Sequence, residues 1–157
     1  MQGFSEVLNG MLVTFYHKIL RVEEAFLQRG VGEGLNIREM HMIEYIGKAG
    51  AEGRTLGGIA EFLGVARPSV TVAVRKLEQK GYLLRNGCAQ DGRVVRVTLS
   101  RIGRKMFMLH MHFHIAMVKE LESELCEDEK TVLVRVITKL DKFFEKSLEE
   151  KDAVSFG

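Results

Sequence analysis

The chain has 157 residues, which is long enough for one domain. Because 46% of its residues are hydrophobic, it can bury a core, and this composition excludes an intrinsically disordered chain. Its formal net charge at pH 7 is only +2, so an overall basic excess does not indicate nucleic acid, and the local distribution of charge has to carry that argument. The two cysteines, Cys88 and Cys126, are far apart in the sequence, which argues against a disulfide framework or a zinc finger. Because the sequence shows no membrane-spanning run and no secretory signal, we expect a cytoplasmic protein with no membrane partner.

The first half of the chain predicts four helices. Apolar residues at helical spacing over about 3–29 predict a first helix, which ends at the segment GVGEG. A second helix follows with Asn36 as N-cap and Glu39 three residues later, as in a capping box. The segment TLGGIAEFLG, capped by Thr55, predicts a short third helix, and RPSVTVAVRKLEQKG predicts a fourth with Pro68 in its first turn.

The pattern changes after Gly81. The β-rich runs YLLRN and VVRVTLS flank the polar segment GCAQDG, which predicts a hairpin. Ser100 can cap a long helix that runs to about Glu124, and EDEK opens a last helix with acidic residues at the positive end of its dipole. The sequence therefore predicts a mainly α fold with a small β wing.

Two short helices joined by GVA and followed by a two-stranded wing are typical of a winged helix-turn-helix. Apolar residues of the two helices can form a small core between them. The predicted core residues are Leu56, Ile59, Ala60, Leu63, Val65, Val70, Val74 and Leu77.

Polar side chains of the fourth helix remain available to point outward and contact DNA. Arginine can bind guanine with two hydrogen bonds, and serine and threonine hydroxyls can bind bases or phosphates. The candidates for these contacts are Arg67, Ser69, Thr71 and Arg75. Lys76 and Lys80 are better candidates for phosphate contacts, which add affinity but little sequence information.

The predicted wing adds a second contact. Asp91 and Arg93 flank Gly92, and an arginine held by a carboxylate there can reach a minor groove. Positive charge is concentrated on and just after the wing, at Arg85, Arg93, Arg96, Arg101, Arg104 and Lys105. These cations could form an ordinary solvated face, but their order along the chain favours a DNA-binding surface.

The segments TLGGIAEFLGVARPSVTVAVRKLEQKGYLLR and DGRVVRVTLSRIGRK, with the long helices outside them, resemble the MarR family of transcriptional regulators over nearly the whole chain. Asp91 and Arg93 match the wing motif Asp-x-Arg of that family. The resemblance implies an obligate homodimer that acts as a repressor. Residues 1–35 and 100–157 would supply dimerisation helices, and residues 36–99 a winged helix-turn-helix that reads a pseudo-palindromic operator in double-stranded DNA.

The segment LHMHFHIAMV contains three of the five histidines. On a helix, His110 and His114 share a face, a spacing that suits two ligands of one zinc ion, whereas His112 points elsewhere. Two ligands are too few, and His41 with Glu23 or Glu24 could complete the set. Zinc-responsive MarR repressors are similar here, and this resemblance implies a metal site formed by Glu23, His41, His110 and His114; zinc is the one candidate cofactor.

A second and closer resemblance links VEEAFLQRG, NIREMHMIEYIGKAG and LHMHFHIAMVKEL to the fatty-acid-synthesis repressors of Gram-positive bacteria within the same family. It implies that the effector is a long-chain acyl group on acyl carrier protein, and the same glutamates and histidines would lie near it. Soft apolar side chains that could line such a pocket are Met40, Met42, Met106, Phe107, Met108, Met111, Phe113 and Met117. A nearby basic surface could meet the acidic carrier protein.

Plainer interpretations of these residues remain open. Methionine and phenylalanine at helical spacing are often core or interface, and a buried histidine is often only hydrogen-bonded structure. A metal-dependent enzyme would rest on the same histidines alone, because the chain has no nucleophile elbow, phosphate-binding glycine loop or His-Glu-x-x-His, so we predict a non-enzyme. A non-specific architectural DNA binder and oxidant sensing at Cys88 or Cys126 are further alternatives.

Overall fold

A computed structural model describes residues 3–31, 34–87 and 95–154 of the chain, with side chains described for 3–29, 34–87 and 95–150. The chain divides into two compact units, Met1–His112 and Phe113–Gly157. The elements in chain order are α1 (Phe4–Phe26), a π-helical turn (Leu27–Val31), α2 (Ile37–Gly47), a 3-10 turn (Gly50–Glu52), β1 (Arg54–Thr55), α3 (Leu56–Leu63), α4 (Arg67–Gln79), β2 (Leu83–Gly87), β3 (Val95–Leu99), α5 (Arg101–Ser123) and α6 (Glu127–Val154). The prediction of a mainly α fold with a small β wing is confirmed.

The predicted helix starts are formed by side chains that satisfy free backbone amides. The Asn36 side chain accepts a hydrogen bond from the Glu39 amide at 2.9 Å, and the Glu39 carboxylate accepts one from the Asn36 amide at 3.1 Å, which completes the capping box of α2. The Thr55 hydroxyl accepts a hydrogen bond from the Gly58 amide at 3.1 Å and caps α3. Pro68 lies in the first turn of α4, where its missing N–H costs nothing.

The wing is part of a three-stranded antiparallel sheet in the order β1-β3-β2. The predicted hairpin pairs Leu83 with Leu99, and the unpredicted β1 pairs Arg54 with Val97. A two-residue strand is too short to leave a periodic pattern in a sequence. Its approach to β3 requires Gly53, whose φ is +63° and where a Cβ would lie 2.5 Å from the Val97 carbonyl oxygen.

The core of the first unit lies where α2, α3, α4 and the sheet meet. Of the predicted core residues, Ile59, Ala60, Val70, Val74 and Leu77 are buried, and Leu56 and Leu63 pack against them partly buried. The prediction for Val65 is wrong, because its side chain is 44% exposed. Gly64 ends α3 in the left-handed conformation, so Val65 lies in the turn and the helical spacing no longer applies to it.

The second unit consists of the end of α5 and all of α6. None of its side chains described, 113–150, is buried. Apolar side chains of α6 that are more than 40% exposed are Val132, Val134, Val136, Ile137, Phe143, Phe144 and Leu148. Among the residues that the structure describes, no helix is long and apolar enough to cross a membrane.

Candidate functional site

The outward face of α4 presents most of the predicted DNA contacts to solvent. Arg67, Ser69, Arg75 and Lys76 are exposed, and Thr71 is half-buried. The Thr71 hydroxyl donates to the Arg67 carbonyl at 3.1 Å, so it is engaged within its own helix. Neither Arg67 nor Arg75 forms an ion pair with any residue the structure describes, which leaves both guanidinium groups available.

The two lysines at the end of α4 converge on one buried carboxylate. Lys80 Nζ lies 3.0 and 2.8 Å from the two oxygens of Glu39, and Lys76 Nζ lies 2.9 Å from Glu39 Oε1. The Lys80 ammonium also donates to the Gly34 carbonyl. The two lysines differ in side-chain exposure, which is 56% for Lys76 and 25% for Lys80. Sequence reasoning treated both as phosphate contacts and did not foresee the shared partner.

The net pKa of Glu39 is lowered from its ordinary value of 4.5. Burial by itself raises the pKa, because it penalises the charged form. Hydrogen bonds from Lys80, Lys76 and the Asn36 amide to the carboxylate outweigh that effect. The Glu39 carboxylate therefore accepts hydrogen bonds both from the backbone amide at the start of α2 and from the lysines at the end of α4.

The predicted wing-tip contact cannot be placed, because Asp91 and Arg93 lie outside the described residues, as does Cys88. The strands on either side are described, and two cations of the predicted basic cluster lie on them. Arg85 pairs with Glu78 at 2.7 Å, and Arg96 donates to the Glu52 carbonyl at 3.1 Å. These arginines contribute to the fold as well as to the local charge.

Three of the four predicted effector or metal residues come together inside the first unit. His110 on α5 is fully buried, and Glu23 on α1 is 4% exposed. His41 Nε2 on α2 lies 3.3 Å from Glu23 Oε2, and a carboxylate oxygen of Glu23 lies within 4.8 Å of a ring nitrogen of His110. The choice between Glu23 and Glu24 is thereby resolved, because the Glu24 side chain is exposed and lies away from this cluster.

The fourth predicted residue, His114, lies one helical turn after His110 on α5 and belongs to the second unit. Its side chain is half-buried. Its share in a site with His110 stays a prediction from the i, i+4 spacing. His112, which was predicted to point elsewhere, is exposed, and its Nδ1 lies 2.7 Å from the Met108 carbonyl oxygen.

Sequence reasoning missed Glu44 as a member of the cluster. Its Oε2 lies 3.4 Å from His110 Nδ1, and it also pairs with Lys48 at 2.6 Å. The available clue was the His-x-x-Glu spacing of His41 and Glu44, which puts both on one face of α2.

The donor set of Glu23, His41 and His110 fits the chemistry of zinc. Zinc takes imidazole nitrogen and carboxylate oxygen at about 2.0–2.2 Å, so two tetrahedral ligands lie roughly 3.3 Å apart. The observed separation of His41 Nε2 and Glu23 Oε2 is 3.3 Å. Glu23 is the residue that lies near both histidines, at 3.3 Å from His41 Nε2 and within 4.8 Å of a His110 ring nitrogen, and further ligands would have to be added.

The methionine-rich surroundings divide into core and surface. Met40, Met42 and Met106 are buried in the main core, whereas Met108 is 48% exposed. A groove of about 590 Å³ runs between α2 and the α3–α4 pair, and its apolar lining includes Met42, Leu63, Val65 and Val72, with His41 beside them. A groove of this size and lining is suitable for a small apolar ligand.

Comparison with known proteins gives consistent matches. The MarR family profile matches residues 33–94. The crystal structure of Streptococcus pneumoniae FabT in complex with DNA superposes with a TM-score of 0.86 at 34% identity, covering 90% of this chain and 98% of that chain. The Staphylococcus aureus MepR–DNA complex has a TM-score of 0.70 at 22% identity, covering 90% and 98%. The transcriptional regulator SlyA has a TM-score of 0.72 at 15% identity, covering 90% and 96%, and a search of curated proteins finds no match.

Proposed function

The chain belongs to the MarR family of transcriptional regulators, and from that premise we propose that it is a homodimeric, non-enzymatic repressor in the cytoplasm. It binds a pseudo-palindromic operator in double-stranded DNA through α4 and the wing. The observation that carries this proposal is the exposed polar face of α4, on which Arg67 and Arg75 make no ion pair with any described residue. FabT, with which the chain shares 34% identity, is itself bound to DNA in its crystal structure.

Each predicted contact has a specific role in this proposal. Arg67, Ser69, Thr71 and Arg75 face the major groove, where arginine can distinguish guanine by two hydrogen bonds. Lys76 neutralises a phosphate, and Arg93, oriented by Asp91, enters the minor groove. We expect Arg93→Ala to weaken operator binding without dissociating the dimer. Unchanged affinity at physiological salt would remove the wing from the mechanism.

The homodimer is supported by the exposed apolar side chains of the long helices. In the second unit, none of the side chains of 113–150 is buried in the single chain. On α1, Phe4, Met11 and Phe15 are each more than half exposed. Apolar patches of this extent are typical of interfaces between subunits, and two-fold symmetry would place each of the two winged regions on one half of the operator.

A duplex selected by the wild-type protein from random DNA tests sequence-specific binding. Fluorescence anisotropy is then compared for that duplex and a scrambled one. We expect Arg75→Ala to lose about 1–3 kcal/mol on the selected duplex and to relax its sequence preference. Arg135→Ala, which removes an exposed arginine from α6, is the matched control and should bind as wild type does. A wild-type protein with no preference between duplexes would instead be an architectural DNA binder.

We further propose that the effector is a long-chain acyl group carried on acyl carrier protein, and that the repressor controls fatty-acid synthesis. This follows from the resemblance to fatty-acid-synthesis repressors. The apolar groove beside His41 supports it, because that groove has a size suitable for an apolar ligand. The cluster of Glu23, His41 and His110 borders this region through the partly exposed His41 and would respond to occupancy.

Zinc is the second candidate effector, because Glu23 lies near both His41 and His110 in the first unit. The 3.3 Å hydrogen-bonded separation of His41 Nε2 and Glu23 Oε2 is compatible with two adjacent ligands of one zinc ion. His114 is proposed as the fourth ligand from its spacing to His110. When bound, zinc would act as a structural crosslink between helices rather than as a catalyst.

Native mass spectrometry of the purified protein, together with titrations of zinc and of acyl carrier protein with and without its acyl chain, distinguishes the two effectors. For zinc, Glu23→Gln and His110→Ala should abolish a zinc-dependent change in operator affinity while leaving basal DNA binding. The neighbouring Glu24→Gln is the matched control. A response only to the acylated carrier protein would favour the acyl effector. Loss of basal binding together with the fold would assign His110 a structural role.

A further inference from the structure

The lysines at the end of α4 are held unequally. Glu39 is 8% exposed at its side chain, and its two oxygens accept from Lys80, Lys76 and the Asn36 amide. Lys80 uses both oxygens of Glu39 and also donates to the Gly34 carbonyl. Lys76 contacts Glu39 through Oε1 alone and has more than half of its side chain in solvent.

We propose that Glu39 and Lys80 are a positioning pair that fixes the orientation of α4 for sequence recognition, and that of these two lysines only Lys76 moves to a DNA phosphate. This inference rests on the proposed operator binding. It assigns to Lys80 a role different from the phosphate contact that its sequence position suggested.

The different roles of the two lysines follow from the hydrogen bonds that Glu39 would lose if each of them moved. If Lys80 moved to a phosphate, the buried Glu39 carboxylate would lose the Lys80 contacts on both oxygens and keep only Lys76 and the Asn36 amide, and the Gly34 carbonyl would lose its lysine donor as well. If Lys76 moved, Glu39 would keep Lys80 and the Asn36 amide. Lys76 is also exposed, so little packing restrains it.

The position of the pair explains how it could affect recognition. Lys80 immediately follows the last residue of α4, and Glu39 lies in the first turn of α2. The pair therefore joins the carboxyl end of α4 to the capped start of a neighbouring helix. Arg67, Ser69 and Thr71 lie at the other end of α4, so a small tilt of the helix would displace these side chains from base edges.

Full-length protein is tested by anisotropy on a duplex selected from random DNA by the wild type and on a scrambled duplex, over a range of salt concentrations. Lys76→Met should weaken binding to both duplexes equally and reduce the slope of log K against log salt by about 0.9. Lys80→Met and Glu39→Gln should leave that slope unchanged and lower the preference for the selected duplex roughly ten-fold, the size of one lost discriminating contact. The double variant should lose no more preference than either single variant, because both act through one pair.

Several outcomes would overturn the proposal. A reduced salt slope for Lys80→Met would make Lys80 a phosphate contact. Unchanged preference in both Lys80→Met and Glu39→Gln would remove the pair from recognition. Circular dichroism and the oligomeric state check each variant, and the isosteric Glu39→Gln keeps the test valid if Lys80→Met unfolds. Failure of the wild type to prefer any duplex would instead refute the proposed function, an outcome seen before any variant is compared.

Discussion

The winged region, 36–99, and α6 differ in how far their apolar side chains are buried within the chain. In the winged region, Ile59, Val74 and Leu77 are completely buried within the chain. On α6, Ile137 and Phe143 are 54% and 62% exposed. The apolar side chains of the winged region are therefore buried by contacts within one chain, whereas those of α6 are left exposed within it. Because of this difference, we expect substitutions in the two regions to have different effects on the protein.

Breaking the proposed dimer should have the largest effect. We expect Ile137→Asp on α6 to dissociate the homodimer, because each substitution removes an isoleucine that the proposed interface would bury and places a charge there. Two symmetric losses of about 2–3 kcal/mol would weaken the dimer on the order of a thousand-fold. Sedimentation velocity at several protein concentrations measures this, and anisotropy should show a parallel loss of operator binding.

Thr138→Asp is the control for Ile137→Asp, since it adds the same charge one residue further along an exposed part of α6. It should remain dimeric. If Ile137→Asp also stays dimeric and binds the operator, the exposed stripe of α6 is not the dimer interface.

The next effect contrasts two glycines. A Cβ on Gly103, in the first turn of α5, would lie 2.0 Å from the Tyr82 carbonyl oxygen, whereas a Cβ on Gly10 in α1 would meet nothing within 4 Å. We expect Gly103→Ala to lower the free energy of unfolding by about 3 kcal/mol, because backbone atoms must move apart. Gly10→Ala should raise it by up to about 1 kcal/mol through helix propensity. Urea unfolding at fixed protein concentration compares them, and a loss at Gly10 would indicate that a partner helix packs closely there.

The winged region was readable from the sequence because its determinants are local. Asn36, Thr55 and Pro68 mark helix starts that the structure confirms at the predicted residues. Val65 was assigned wrongly because the left-handed turn at Gly64 breaks the helical spacing. The strand at Arg54 was missed because two residues carry no pattern, and its position depends on contacts with β3.

The candidate sites were predictable only as residue types. The spacing within α4 identified the outward arginines, but the convergence of Lys76 and Lys80 on Glu39 depends on the packing of α2 against α4. In the same way, His110 was found from its helix, whereas its neighbour Glu44 lies 66 positions earlier and is brought to it by tertiary structure. Neither pairing leaves a mark in one sequence.

A smaller effect separates a helix cap from a hydroxyl on an exposed helix. Asn36→Ala should cost about 1 kcal/mol, since it removes the acceptor of the Glu39 amide at the start of α2. Thr138→Ala on α6 removes a hydroxyl that donates to the Val134 carbonyl of its own helix, and we expect no loss, because alanine is the better helix former. Thermal unfolding of both variants makes the comparison. Equal losses would mean that Thr138 has contacts beyond its own helix.

The smallest expected effect is the pH dependence contributed by Glu39. Because its folded-state pKa lies below the ordinary value of 4.5, its ionised form stabilises the folded protein above about pH 4.5, and that contribution is lost as the pH falls through the folded-state pKa. We expect wild type to exceed Glu39→Gln by under about 1 kcal/mol near pH 7, since both lysines reach solvent and water screens the pairs. Urea unfolding from pH 7 down to pH 3 should show this difference shrinking toward the acid end. Glu145→Gln, on the exposed surface of α6, controls for loss of a carboxylate as such. A difference that grows with acidity would mean that burial, rather than the lysines, dominates the pKa of Glu39. In that case the pairs with Glu39 would not stabilise the packing of α4 in the winged region.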